Sequence, residues 1–206
     1  MALAKDPSPA PKQAGRPREF DMDEALDKAI IAFTERGYHA SSVGDLSVAM
    51  GVTPGSLYKA FADKKAIFLA AFDRYKQVRN ALLEQAIDVG TNGRDRIGRA
   101  LHFYADAAHG EKGRRGCLVV GAAVELALFD AETDQRVGRS QAGFDALFET
   151  LVREGQVDGS IAAHVDPVAA GRFFNTVVQG LRIVGKTGQD QPRALKTADL
   201  ALKILD

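Results

Sequence analysis

The sequence predicts an all-α protein: a three-helix amino-terminal domain with a helix-turn-helix, then a larger helical domain. Three observations carry this. Ala, Leu, Val and charged residues recur at helical spacing almost throughout. Tryptophan is absent and strand signals are scarce. Ser42 to Phe61, SVGDLSVAMGVTPGSLYKAF, holds start and stop signals for two short helices in immediate succession. At 206 residues, 46% of them hydrophobic, the chain can bury a core in one or two domains.

Residues 1–14 have little to bury and are expected to be a disordered basic arm. Lys12, Arg16 and Arg18 surround Gly15 and Pro17, a pattern suited to lying along phosphates or entering a minor groove; a solvated tail is the alternative. Asp21 and Glu24 can cap a helix whose Leu26, Ala29, Ile30 and Phe33 form one apolar stripe, ended by Gly37. Ser42 and Asp45 then match a capping box, with Val43, Leu46 and Met50 on one face and Gly51 as a left-handed stop. Thr53 is a good N-cap, and Pro54 suits the first helical position because its missing N–H is not needed there. The helix that follows, at about two turns, is too short to stand alone. The pair reads either as a DNA-reading helix-turn-helix or as an ordinary helical hairpin.

Asp63 can cap a further helix that opens on Lys64 and Lys65, cations that oppose the helix dipole unless a phosphate lies there too. Ile67, Phe68, Ala71, Phe72, Tyr75, Val78 and Leu82 extend it, so residues 64–89 can link residues 15–63 to residues 90–206.

Gly15-Arg16-Pro17-Arg18, Phe20-Asp21, Ala25-Leu26, Gly37-Tyr38, Ser41-Ser42-Val43, Gly51-Val52-Thr53-Pro54-Gly55-Ser56-Leu57-Tyr58 and Phe61-Ala62-Asp63-Lys64 together resemble the amino-terminal domain of the TetR family of transcriptional regulators. The resemblance spans roughly residues 15 to 75. It implies a homodimeric regulator that binds double-stranded operator DNA and releases it when a small molecule fills the carboxy-terminal domain. Carried over by position, Ser42, Thr53, Pro54, Gly55, Ser56, Tyr58, Lys59 and Lys64 face DNA. Many members have His or another aromatic where this chain has Ala60. Lys59 is the candidate for a guanine edge, and the Tyr58 hydroxyl suits a phosphate.

Beyond Arg94 the motifs fade. Residues 94–108 read as a helix with Phe103 and Tyr104, residues 110–116 as a glycine-rich basic loop, and residues 117–129 as a helix apolar nearly all round, expected in the middle of its domain. Its single charge, Glu125, suits a ligand contact or an arginine partner. Cys117 follows Arg114 and Arg115 at a helix start, which favours a thiolate; a small buried hydrophobe is the alternative. Gly116-Cys117-Leu118 resembles a TetR subgroup in which some members sense electrophiles. Phe144 and Phe174 complete the candidate ligand set. Helices over 137–154 and 168–184 carry excess apolar surface, so Phe148, Leu151, Phe173, Val177, Leu181 and Val184 are candidates for a four-helix dimer interface. A helix over 192–204 closes the chain.

The formal net charge is zero, which gives the whole chain no electrostatic pull toward nucleic acid. That neutrality is the one feature favouring a small-molecule binding or scavenging protein that no longer reads DNA. One cysteine excludes an internal disulfide and suits the cytoplasm. No apolar run of ~18 residues suggests a membrane span, and no phosphate loop, nucleophile elbow, paired-acid motif or metal-ligand spacing suggests an enzyme, metal or cofactor.

Overall fold

Helix starts in this chain are set by polar side chains that accept the first free amides. Asp21, Ser42, Thr53, Asp63, Asn92, Asp130, Asp166 and Asp190 each do so. The computed structural model describes residues 20–206, and among these every regular element is helical. In order they are α1 (Met22–Arg36), α2 (Val43–Met50), α3 (Pro54–Ala60), α4 (Lys64–Asp88), α5 (Gly93–Asp106), α6 (Gly110–Arg115), α7 (Leu118–Glu125), α8 (Ala131–Asp158), α9 (Pro167–Lys186) and α10 (Gln191–Ala201), closed by a 3-10 turn (Leu202–Leu205). Arg16, Arg18 and the expected arm lie outside the described residues.

Two apolar cores form, and α4 belongs to both. Its first half places Ile67, Phe68 and Phe72 against Phe33, Leu46 and Leu57 of α1–α3. Its second half gives Leu83 and Ile87 to a core built from α5, α8, α9 and α10 around Leu101, Phe148 and Phe174. Charged pairs fasten α4 along its length. Arg74 bonds both oxygens of Asp27 at 2.9 Å and reaches Asp23 at 2.7 Å, Arg136 of α8 holds Asp73, and Lys65 meets Asp130. Close packing of α8 and α9 needs Gly171, where an added Cβ would stand 2.7 Å from the Asp145 carbonyl oxygen.

Several expectations change here. Residues 110–116 form α6 and a turn at Gly116 (φ +91°) instead of a loop. The helix expected over 117–129 stops at Glu125, and α7 lies against the amino-terminal core rather than in the middle of the second domain. Leu118, Val119, Ala122 and Leu126 are buried there and Cys117 and Ala123 pack at the edge, while Val124 is 75% and Phe129 84% exposed. Phe148, Leu151 and Leu181 are corrected as interface residues, because all three are buried in the subunit's own core. Phe173 and Val184 are exposed, and Val177 packs at the core's edge.

Candidate nucleic-acid interface and ligand cavity

Both halves of the capping box form at Ser42: its hydroxyl accepts the Asp45 amide at 3.0 Å, and the Asp45 carboxylate accepts the Ser42 amide at 2.9 Å. The Ser42 hydroxyl also donates to that carboxylate at 2.5 Å, and this bond, then the Ser42 amide and Arg36, hold the Asp45 carboxyl below its ordinary value. Gly51 takes the left-handed conformation (φ 69°, ψ 29°), and the Ser47 hydroxyl donates to the Val52 carbonyl at 2.5 Å, closing the turn. Thr53 caps α3 by accepting the Ser56 amide at 3.3 Å and donates to the Ser56 hydroxyl at 3.0 Å. Leu57 is buried beneath α3, so Thr53, Pro54, Gly55, Lys59 and Tyr58, which is 60% exposed, stand outward. Among the described residues, nothing outside its own helix and chain neighbours lies within 4 Å of a Cβ placed on Gly55.

Lys64 sits differently from an outward phosphate contact. Its ammonium donates to the Tyr38 carbonyl at 3.0 Å and lies 4.2 Å from the centre of the Tyr38 ring. Tyr38 in turn packs edge-on against Phe68. Glu125 reaches the same loop: its Oε2 accepts the Tyr38 amide at 2.8 Å and the His39 amide at 3.5 Å. This corrects its assignment as a ligand group or an arginine partner, since backbone amides of the α1–α2 loop occupy it.

A cavity of about 580 Å³ opens between α4 and α8. Phe72, Lys76, Asn80, Leu83 and Ile87 line it from one face of α4, with Phe144 and Leu147 opposite on α8. A narrow recess adjoins it, sharing Lys76 and Phe144, and brings together Tyr75, Arg79, Tyr104, Cys117, Gln179 and Arg182. Of the expected ligand residues, Phe144, Tyr104 and Cys117 therefore meet. Phe174 is corrected: it is fully buried against Phe148. Phe103 lines neither space and packs under the Arg79 guanidinium, 4.3 Å away.

Cys117 is the N-cap residue of α7 and accepts a 3.4 Å hydrogen bond from the Tyr75 hydroxyl. Burial pushes its thiol up, but Arg182, the Tyr75 hydroxyl and the Val120 and Val119 amides outweigh that and hold it below the ordinary value. The cation beside it is thus Arg182 of α9, not Arg114 or Arg115; Arg115 is engaged by Glu35 and Glu111. Burial moves both tyrosines of the recess the other way, Tyr104 to about 12.

Residues 25–71 match the model of bacterial regulatory proteins of the tetR family, and residues 93–199 match the tetracyclin repressor-like C-terminal domain. The chain belongs to the TetR family. Its relatives include the HTH-type transcriptional repressor ComR of Escherichia coli (strain K12), 27% identical over 94% of this chain and 92% of ComR. The transcriptional regulator AcuR of Cereibacter sphaeroides is 30% identical over 84% of this chain and 83% of AcuR. A cysteine-substituted form of the TetR family regulator CifR, complexed with 26-base-pair double-strand operator DNA, superposes with a TM-score of 0.83 and 30% identity, covering 93% of this chain and 100% of CifR. The TetR family consists of transcriptional regulators, and this member carries its DNA-binding helix-turn-helix. No described helix of this TetR-family chain is long and apolar enough to cross a membrane.

Sequence reasoning missed Lys76, Arg79 and Arg182. A signal for the last existed: Asn175, Gln179 and Arg182 follow at helical spacing among the apolar residues of α9, and all three are half-buried or buried.

Proposed function

We propose that the chain is a repressor that binds a palindromic operator as a homodimer and releases it when a small molecule enters the cavity between α4 and α8. The outward face of α3 carries this reading. Leu57 anchors the helix while Thr53, Pro54, Gly55, Ser56, Tyr58 and Lys59 form its outer and flanking positions. The space around Gly55 would accept a side chain, so close approach of a DNA backbone explains the glycine where folding does not. CifR, in complex with its operator, supports the same use of α3 here.

Exposed Phe173, Ile183 and Val184 on α9 supply apolar surface for a second copy. Two readers about 34 Å apart would meet successive major grooves. Because α4 lines the cavity with one half and holds the reader's core with the other, a ligand that favours one setting of α4 shifts the spacing of the readers. The setting for this activity is the cytoplasm.

Footprinting on the DNA upstream of the chain's own gene, at several salt concentrations, tests the reading. A protected palindrome is expected. Its absence at low salt would leave the small-molecule binding alternative.

A further inference from the structure

Among the described residues, the recess beside Cys117 gathers three cations and no carboxylate. Lys76 and Arg79 come from α4 and Arg182 from α9. Arg182 is only 6% exposed. Its two terminal nitrogens donate to backbone carbonyls, to Ala107 and, at 2.6 Å, to Gly116, while its Nε is buried with no hydrogen-bond partner. Nε and Nη2 of Arg79 are also buried, and neither they nor the Arg182 Nε has a partner among the described residues. Buried guanidinium donors left without acceptors are costly, and evolution ordinarily supplies a carboxylate beside them. The acids that line the adjoining larger cavity are Glu84 and Asp73, the latter already held by Arg136.

We infer that the recess is the anion-binding end of the effector site, and that the effector is a monocarboxylate with an apolar body. The inference rests on the effector reading above and names the chemistry of that site. A carboxylate offers two coplanar acceptors, which suits the unfilled fork of Arg79 and the free Nε of Arg182. Lys76, whose ammonium lies 4.8 Å from the centre of the Phe144 ring, stands where the recess meets the larger cavity. The recess itself has room for little more than one water molecule, about 20 Å³. Only the acid group therefore enters it, and the body lies against Leu83, Phe144 and Leu147 in the space of about 580 Å³, a size suited to a small organic molecule. Burial, with Arg79 adding to it against the pull of the thiol, holds the Lys76 ammonium below its ordinary value, a penalty that a bound anion relieves.

The test is calorimetric titration of the full chain, without DNA, with octanoate and phenylacetate and with their neutral amides. Each acid is expected to bind at least about tenfold more tightly than its amide. Arg79→Gln should remove that preference, with Arg79→Lys between the two. If Arg79→Gln fails to fold by circular dichroism, the wild-type comparison and Arg79→Lys decide. Equal binding of acid and amide, or no binding of either acid at millimolar concentration, overturns the inference. Adding operator DNA separates the two readings. Amides that bind as well as the acids and release DNA would retain ligand control and remove the anion site, whereas tight acids that leave DNA bound would do the reverse.

Discussion

The Glu125 carboxylate accepts the backbone amide of Tyr38 at 2.8 Å, so the last residue of α7 is tied to the loop that enters the reading helices. Removing the acceptor leaves a partly buried amide without a partner. Glu125→Ala is expected to cost ~1–3 kcal/mol of stability in urea denaturation and to weaken operator binding. Gly37→Ala attacks the same contact, because its φ is +83° and an added Cβ would stand 2.7 Å from the Glu125 carboxylate. Its melting temperature should fall at least as far.

Within α3, Lys59→Ala should lower affinity unevenly across operator variants, as expected of a base contact. Equal losses on operator and on random DNA would remove that role. Lys64→Ala should lower the melting temperature as well as the affinity, since its ammonium holds the Tyr38 carbonyl and ring.

Lys65, ahead of the Thr133 hydroxyl, holds the Asp130 carboxyl at about 2, against an ordinary 3.8. A depressed acid stabilises the fold above its unfolded value and loses that contribution as pH falls through the folded one. Stability should therefore drop between about pH 4 and pH 2. Asp130→Asn keeps the cap on α8 but lacks the charge, so its chemical denaturation should vary less with pH over this window.

The thiol of Cys117, held low by Arg182 and Tyr75, should react with iodoacetamide with a pH midpoint below that of a free cysteine. If the thiol senses electrophiles, Cys117→Ser will abolish release from DNA by quinones or aldehydes and leave DNA binding intact. An unchanged response would assign the residue to packing alone.

Sedimentation of Val184→Lys should show a shift toward monomer, because Val184 is exposed on α9 beside Ile183. A dimer that persists unchanged would place the contact elsewhere.

Features governed by neighbours in the chain were legible in the sequence. The caps at Asp21, Ser42, Thr53 and Asp63 depend on residues two or three positions away, and each accepts its amides as those spacings require. The membership of a packed face was not. Phe148 and Phe173 look alike as apolar helical positions, yet one is sealed in the core and the other half in solvent, because only the placement of α8 against α9 separates them. Glu125 offers the same lesson for polar groups. Its partner lies 87 residues earlier and is a main-chain amide, which no side-chain pattern announces.

The short length of α7 has its own consequence. Eight residues span about 12 Å, with Cys117 at one end beside the cationic recess and Glu125 at the other on the Tyr38 amide. An α-helix of two turns cannot stretch or shorten without breaking its hydrogen bonds. Whatever moves the thiol end along the helix axis must therefore move the carboxylate end by nearly the same distance, giving chemistry in the recess a second, direct grip on the reading head.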